Sequence, residues 1–431
     1  MADHVQHPSA VSPPAARRPQ SGVVRVLVVG EYRADRFVAA LARRTAVEAV
    51  LGGPTDVSAD VGPGCGYRYL PADAGHQELA VLLEDERPDL VAPCLYPLGQ
   101  EQMLPALARA CGPRQGLRRG WVVHPDTFAR LSTDKVLFQR TAERRGWPVP
   151  PGVVCGDQAQ LATEVGRHGQ PMMVKAARAQ SGQGRWYLPD PDALPALPGA
   201  VFPLLVQQVC QGEEFGLELF TLDGHTVCWP VASFGRLDAQ CRPGWRARTM
   251  PARLPDSAAA ALDRFIEDVV TSFSPCGPWQ IDFAVAEGKL AVLEINGRFS
   301  GMADLSRAAT GTDPYDVFAA ACLDAPLPVP AALGVAMELP VRHGASLPPA
   351  PAGIRVRPQP PVATNRALPN HFRRTLAFAQ EAAVLHSWLS QWPDNGLLAP
   401  LNDALVPLEQ LLAAALAPDP QPADDRRGRR L

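Results

Sequence analysis

Apolar residues run unbroken through Val26-Leu27-Val28-Val29 and stop at Gly30, and from Asp35 to Arg44 they recur at helical spacing. A run apolar on both sides suits a strand covered on both faces. The same change of period follows, with a strand signal at Val47–Leu51, a helix at Gln77–Glu86 and a strand at Asp89–Pro93. Strands alternating with helices predict a parallel α/β sheet over residues 23–125. Gly30 stands alone, without the GxGxxG of a dinucleotide site, and there is no GxxxxGK[ST] phosphate loop.

His124-Pro125-Asp126 opens a helical stretch through Phe128, Leu131, Val136 and Phe138, with His124 read as part of its cap. Gly146-Trp147-Pro148-Val149-Pro150 ends it, because proline cannot continue a helix. Strands are expected at Gly152–Val154, Pro171–Lys175, Arg185–Leu188, Phe202–Val209, Phe215–Thr221 and Val227–Phe234, and helices at Gln158–Gly166, Ser257–Phe273 and Asp313–Cys322. Trp147 and Trp279 read as core. Beyond residue 325 Pro and Ala dominate, with one strand at Ala336–Val341 and helices at Arg373–Leu389 and Leu405–Leu416. The expected division is a disordered tail at 1–22, an α/β domain at 23–125, a smaller unit at 126–210, a larger one at 211–325, an extension at 326–416 and a second disordered tail at 417–431.

Composition narrows the class. The chain has 431 residues, with 41 basic against 44 acidic side chains, and no charge run of useful length points to nucleic acid. Nine cysteines, an odd number without a CxxC pair, fit reduced thiols better than disulfides or zinc. No segment reads as a signal peptide or membrane span, so a soluble cytoplasmic protein is expected.

The most telling chemistry is Leu293-Glu294-Ile295-Asn296-Gly297-Arg298 with Asp282 on the preceding strand. Glu294 and Asn296, two apart on a strand, share a face. A two-residue turn at Glu287-Gly288 would turn Asp282 away from Glu294; a three-residue loop, Ala286-Glu287-Gly288, brings it to the same face and is the one expected. Two carboxylates and an amide oxygen together suit Mg²⁺; a solvated hairpin face is the plain alternative.

Three upstream elements suit a nucleotide. Lys175 ends an apolar strand, where a buried ammonium needs an anion. Arg178 to Arg185 is a glycine-bearing turn, with Ser181, Gly182 and Gly184, whose backbone N–H groups can close over phosphates. Val206 to Phe215 is an apolar strand, a turn and an acidic pair, as an adenine slot with a nearby ribose requires. Singly, Lys175 reads better as a solvent-reaching lysine and the third element as an edge strand running into a solvated acidic turn, and the glycine turn reads also as an ordinary flexible hairpin.

In order, Ser132-Thr133-Asp134-Lys135 with Gly146–Pro150, Lys175, the glycine turn, Gln207–Phe215, and Asp282 with Glu294–Arg298 resemble the ATP-grasp superfamily of carboxylate–amine ligases, over residues 23–325. The resemblance implies an α/β chain whose N-terminal, Rossmann-like parallel-sheet domain precedes two α+β subdomains clasping ATP, plus a C-terminal extension. It implies that Lys135 and Lys175 contact the phosphates and that Gln207 faces the adenine amino group, with the backbone of Gln208 and Cys210 at the ring edge. Glu214 would hold the ribose, Ser181 to Gly184 would form a lid, and Asp282, Glu294 and Asn296 would hold two Mg²⁺ ions, replaceable by Mn²⁺. Arg298 and Lys175 would be the catalytic cations. The sequence departs from the family in having Gln207 where many members have Glu, and Gly297 where proline is usual, which makes that turn less rigid.

The implied reaction joins an amino-acid-like carboxylate to an amine through an acyl phosphate, releasing ADP and phosphate. Small-molecule substrates are the expected partners, with no nucleic acid and no membrane, and a homodimer as an allowed assembly. Ser300 and Gly301 follow the metal strand and would line the acyl pocket, and Arg246 and Arg248 are candidates for a substrate carboxylate, with a solvated basic loop as the equal alternative. The alternatives are a bicarbonate-activating carboxylase and a nucleotide-binding protein without turnover.

Overall fold

The structure, a computed structural model of the chain, describes residues 22–95, 99–112, 121–168, 171–178, 184–190, 194–236, 246–342, 344–345, 348–359, 372–392, 396–397 and 401–416. Apart from Gly22, both tails expected to be disordered lie outside these residues.

The N-terminal elements are β1 (Val23–Val29), α1 (Ala34–Ala42), β2 (Ala46–Gly53), α2 (Ser58–Val61), β3 (Gly66–Tyr69), α3 (His76–Glu86), β4 (Leu90–Pro93) and α4 (Leu104–Cys111). The strands pair in parallel in the order β3-β2-β1-β4. β1 is apolar throughout because Val26 and Val28 pack towards α1 while Leu27 and Val29 pack towards α3 and α4. β3 and α4 were not legible as elements.

The helix expected after His124 is two helices, α5 (Asp126–Thr133) and α6 (Lys135–Arg145). Asp134 breaks it: its backbone is extended, and its side chain caps α6 by accepting from the Leu137 N–H at 2.9 Å. Lys135 is therefore the first residue of α6. A four-stranded antiparallel sheet follows from β5 (Gly152–Cys155), β6 (Met172–Ala176), β7 (Arg185–Leu188) and β8 (Leu204–Gln208), ordered β5-β8-β6-β7, with α7 (Gln158–His168) packed on it.

The large sheet holds β9 (Glu213–Leu222), β10 (His225–Cys228), β11 (Ala232–Arg236), β12 (Arg248–Met250), β13 (Gly277–Ala286), β14 (Lys289–Asn296), β15 (Val335–Arg342), β16 (Arg355–Pro358) and β17 (Phe372–Ala379). Its order is β14-β13-β9-β11-β12-β15-β17-β16, with β10 on β9. The strand expected across Val227–Phe234 is interrupted at Trp229-Pro230-Val231, since Pro230 has no N–H for the ladder. The helices are α8 (Asp256–Phe273), α9 (Ala303–Thr310), α10 (Pro314–Cys322), α11 (Ala382–Leu389) and α12 (Leu401–Leu416). The helix expected at Arg373–Leu389 is instead β17 followed by α11. Leu376 and Phe378 enter one core and Ala377 and Ala379 another, so the apolar run is a strand buried on both faces. Strands from beyond residue 325 thus extend the same sheet through β12 and β15. No helix among the described residues is long and apolar enough to cross a membrane.

Sheet periodicity separates the two faces. Trp279, Ile281 and Phe283 of β13 pack with Leu262, Phe265 and Ile266 of α8, so Gln280 and Asp282 face the other way. Trp147 joins that core, its ring 5.0 Å from Phe265.

Candidate functional site

The β13–β14 hairpin corrects the loop expectation. Ala286 pairs with Lys289 across a two-residue turn, Glu287-Gly288, both with positive φ (51° and 75°). That turn alone would send Asp282 away from Glu294. A bulge reverses the outcome: Phe283 pairs with Val292 but Asp282 with Glu294, leaving Leu293 as the extra residue. Val292 and Ile295, three apart, consequently face the same α8 core, and Glu294 and Asn296 join Asp282 on the opposite face. The Asn296 amide donates to Asp282 at 3.3 Å, and Gln280 donates to the other oxygen.

Lys135 Nζ lies 3.3 Å from Glu294. Burial alone would push the Glu294 carboxyl up, but Lys135 and Lys175 outweigh it and hold the group below its ordinary value. Asp282 is pushed well up, by burial first and then by Glu294 and Glu214. Lys175 is buried on β6, and its ammonium is pushed down to about 8 by burial, with Lys135 and Arg185 adding to the effect. The site is therefore an acidic floor beneath two lysines, each sign crowded against itself.

Gln207, at the end of β8, is buried; Gln208 donates its N–H to the Pro151 carbonyl at 3.1 Å, and Gly212 turns its N–H onto Cys210 O at 3.0 Å. Glu214 is paired with Arg246 at 2.8 Å. Arg246 and Arg248 both lie over the Phe234 ring, at 6.0 and 5.0 Å, but serve different carboxylates. Arg248 is 3.4 Å from the fully buried Glu338 on β15. Arg374, on β17, pairs with the same Glu338 oxygen, and Gln359 donates to the other at 3.0 Å. One face of the large sheet thus runs from acidic at Glu294, Asp282 and Glu214 to basic at Arg248 and Arg374.

Gly184 has a left-handed φ of 59° and accepts from the Ala176 N–H at 2.7 Å, whereas Ser181 and Gly182 of the expected lid lie outside the described residues. Ser300 is spent on Glu218, which accepts its N–H at 3.1 Å and its hydroxyl at 2.9 Å. Gly301 sits beside Arg248, whose Nη1 would be 3.4 Å from a Cβ there. Arg298 pairs with Glu101 and donates to Phe299 O at 3.2 Å; burial pushes its pKa down to about 10. Gly297 packs closely, since a Cβ there would come within 2.6 Å of Leu104 Cδ2 and 2.8 Å of Ser132 Oγ.

His124 is more than a cap residue. Its Nδ1 accepts from Cys276 N–H at 3.0 Å and its Nε2 donates to Pro278 O at 2.8 Å, and burial holds the ring neutral with a pKa of about 4. The sequence pattern also passed over Glu101, although it lies in a polar trio, Gln100-Glu101-Gln102, just before a helix. Arg33 and Arg36 were missed too. They grip Asp304 at 2.6 and 2.9 Å, and Arg36 reaches Asp313 at 2.9 Å, tying α1 to the elements that follow β14.

The architecture matches solved structures closely in shape. One is an ADP complex of N5-carboxyaminoimidazole ribonucleotide synthetase, with a TM-score of 0.66 at 15% identity over 85% of this chain and 96% of that one. Another is the biotin carboxylase domain of Hydrogenobacter thermophilus 2-oxoglutarate carboxylase, with MgADP and bicarbonate, at 0.64 and 15% over 86% and 91%. In sequence, the arginine-specific carbamoyl phosphate synthase large chain of Geobacillus stearothermophilus is 24% identical over 182 residues, 41% of this chain but 17% of that protein. The chain therefore spans a small part of that relative's length. No protein-family model matches the chain. The chain has the ATP-grasp fold.

Proposed function

We propose that the protein is an ATP-dependent ligase that activates a carboxylate as an acyl phosphate and passes it to an amine, with release of ADP and phosphate. The observation that carries this reading is the convergence of Asp282, Glu294 and Asn296 beneath Lys135 and Lys175.

The residues fit Mg²⁺ and a nucleotide. Asp282 is crowded by two carboxylates, a state a divalent cation relieves, and Asn296 offers an oxygen once its amide turns over. Lys175 lacks charge compensation equal to its burial, which phosphate oxygens supply. Buried Gln207 Oε1 and the Nε and Nη1 of Arg246 have no hydrogen-bond partner, so an acceptor and two donors await a ligand. Asp282, Glu294 and Asn296 would hold the metal, which neutralises phosphate charge when bound. Lys135 and Lys175 would fix the phosphates. Arg298, oriented by Glu101, would stabilise charge on the transferring group.

Support comes also from the neighbours of like fold, which are described with ADP or MgADP. Bicarbonate as the acid is the second reading. It is favoured by the packed core that β15, β17, α11 and α12 form, since a compact C-terminal unit suits a carboxylase better than a loose tail. ADP release from MgATP with pooled amino acids, with bicarbonate plus pooled amines, and with neither, separates the readings. Release that needs amino acids supports ligation, release that needs bicarbonate supports carboxylation, and no release above the blank supports binding without turnover.

A further inference from the structure

Gln207 uses its two amide atoms unequally. Nε2 donates to Gln139 Oε1 at 2.8 Å, inside the protein, whereas the buried Oε1 has no partner. What fixes this orientation lies one residue further away. Gln139, on α6, donates from its own Nε2 to the Pro150 carbonyl at 3.2 Å and to Glu143 Oε1 at 2.8 Å. A backbone carbonyl only accepts, so the Gln139 nitrogen must face Pro150 and its oxygen must face Gln207. Gln207 can then present only nitrogen to Gln139, and its oxygen is left for whatever enters the slot. Rotating either amide would set two oxygens against each other in a buried place.

Packing closes the arrangement. A Cβ on Gly152 would come within 3.0 Å of Gln207 Cγ, 3.1 Å of the Val206 carbonyl and 3.2 Å of Gln139 Nε2, so this glycine lies directly against both amides. A glutamate at position 207 would accept in either rotation and need no such support. A glutamine does need it, because its two ends have opposite hydrogen-bonding sense.

We propose that Gln139 is a positioning residue for base selection. By holding Gln207 as an acceptor, it makes the slot take a purine with a 6-amino group and refuse a 6-oxo purine. The inference rests on the nucleotide reading above and adds to it the device that sets base preference. The Pro150–Gln139–Gln207 chain is the working part, and Gln139 itself touches no base.

The test is calorimetric binding of MgADP and MgIDP to the full chain as wild type, Gln139→Met, and Gln139→Met with Gln207→Glu. Wild type should prefer ADP by at least about tenfold, a lower bound on what a hydrogen-bonding site imposes on a mismatched group. Gln139→Met frees the Gln207 amide to rotate, so the preference should fall at least about fivefold, with ADP weaker and IDP tighter. The double variant, whose carboxylate accepts in either rotation, should recover the preference; a merely structural loss would not be rescued this way. Gln139→Asn, too short to bridge both partners, gives the same reading should Gln139→Met fail to fold. An unchanged ADP-to-IDP ratio in a folded variant overturns the positioning role and leaves the nucleotide reading standing. Wild type that binds neither nucleotide overturns the nucleotide reading itself.

Discussion

Asp282 stands opposite Glu294 because Leu293 is bulged out of the β13–β14 ladder. The tight Glu287-Gly288 turn sets a register that would part the two carboxylates, and a single extra residue restores them to one face. Together they make the acidic floor on which the proposed chemistry depends.

Replacing Glu294 with Gln removes one of those carboxylates at nearly constant volume. Turnover should fall by at least about a hundredfold, because metal-mediated neutralisation is worth several kcal/mol in the transition state. Circular dichroism and the melting temperature should stay near wild type. Near-normal ADP production by folded Glu294→Gln protein would remove Glu294 from the proposed metal site.

Lys175 sets stability against binding. Its folded pKa of about 8 lies below the ordinary 10.5, so the folded state releases this proton first. Between those values the unfolded chain binds more protons, and stability rises with pH across that window; below pH 8 the cost is fully present. Lys175→Met should therefore stabilise the ligand-free protein at pH 7 by about 1–3 kcal/mol and remove that rise. It should also weaken MgADP binding by at least about tenfold, the worth of one charged hydrogen bond. A variant that is destabilised yet binds MgADP normally would contradict both the burial argument and the phosphate role.

Glu338 holds two arginines from neighbouring strands. Glu338→Leu should destabilise the fold by about 3–5 kcal/mol, because buried guanidinium groups lose their carboxylate. Pairing it with Arg374→Leu should recover a large part of that loss, since two apolar side chains replace the buried pair. Chemical denaturation of the single and double variants reads this directly. A double variant no more stable than Glu338→Leu would contradict the view that an unpaired Arg374 guanidinium carries that loss.

Much of this was legible in the chain, for reasons that can be traced. β1 and β13 declare themselves by their patterns, continuous for a strand apolar on both faces and alternating for one apolar on a single face. Asp282, Glu294, Asn296, Lys135 and Lys175 are brought together in the structure. The bulge at Leu293 was not legible, because an unpaired residue in a ladder leaves no period of its own; the shared face was expected from a different, three-residue loop. β17 was misread because a strand buried on both faces carries the same apolar run as a helix. Gln139, Glu101 and Arg374 escaped notice because each acquires meaning only from a partner far away in sequence: Gln207, Arg298 and Glu338.

The most direct test of the central claim is the identity of the nucleotide product. The protein would be incubated with MgATP, hydroxylamine and pooled carboxylic acids, and the nucleotides separated by chromatography. Hydroxylamine traps either an acyl phosphate or an acyl adenylate, so the hydroxamate shows activation and the nucleotide shows the route. ADP and phosphate, formed in step with hydroxamate and absent with Glu294→Gln, is the predicted result. AMP and pyrophosphate in stoichiometric yield would contradict it, even if every residue named here proved essential.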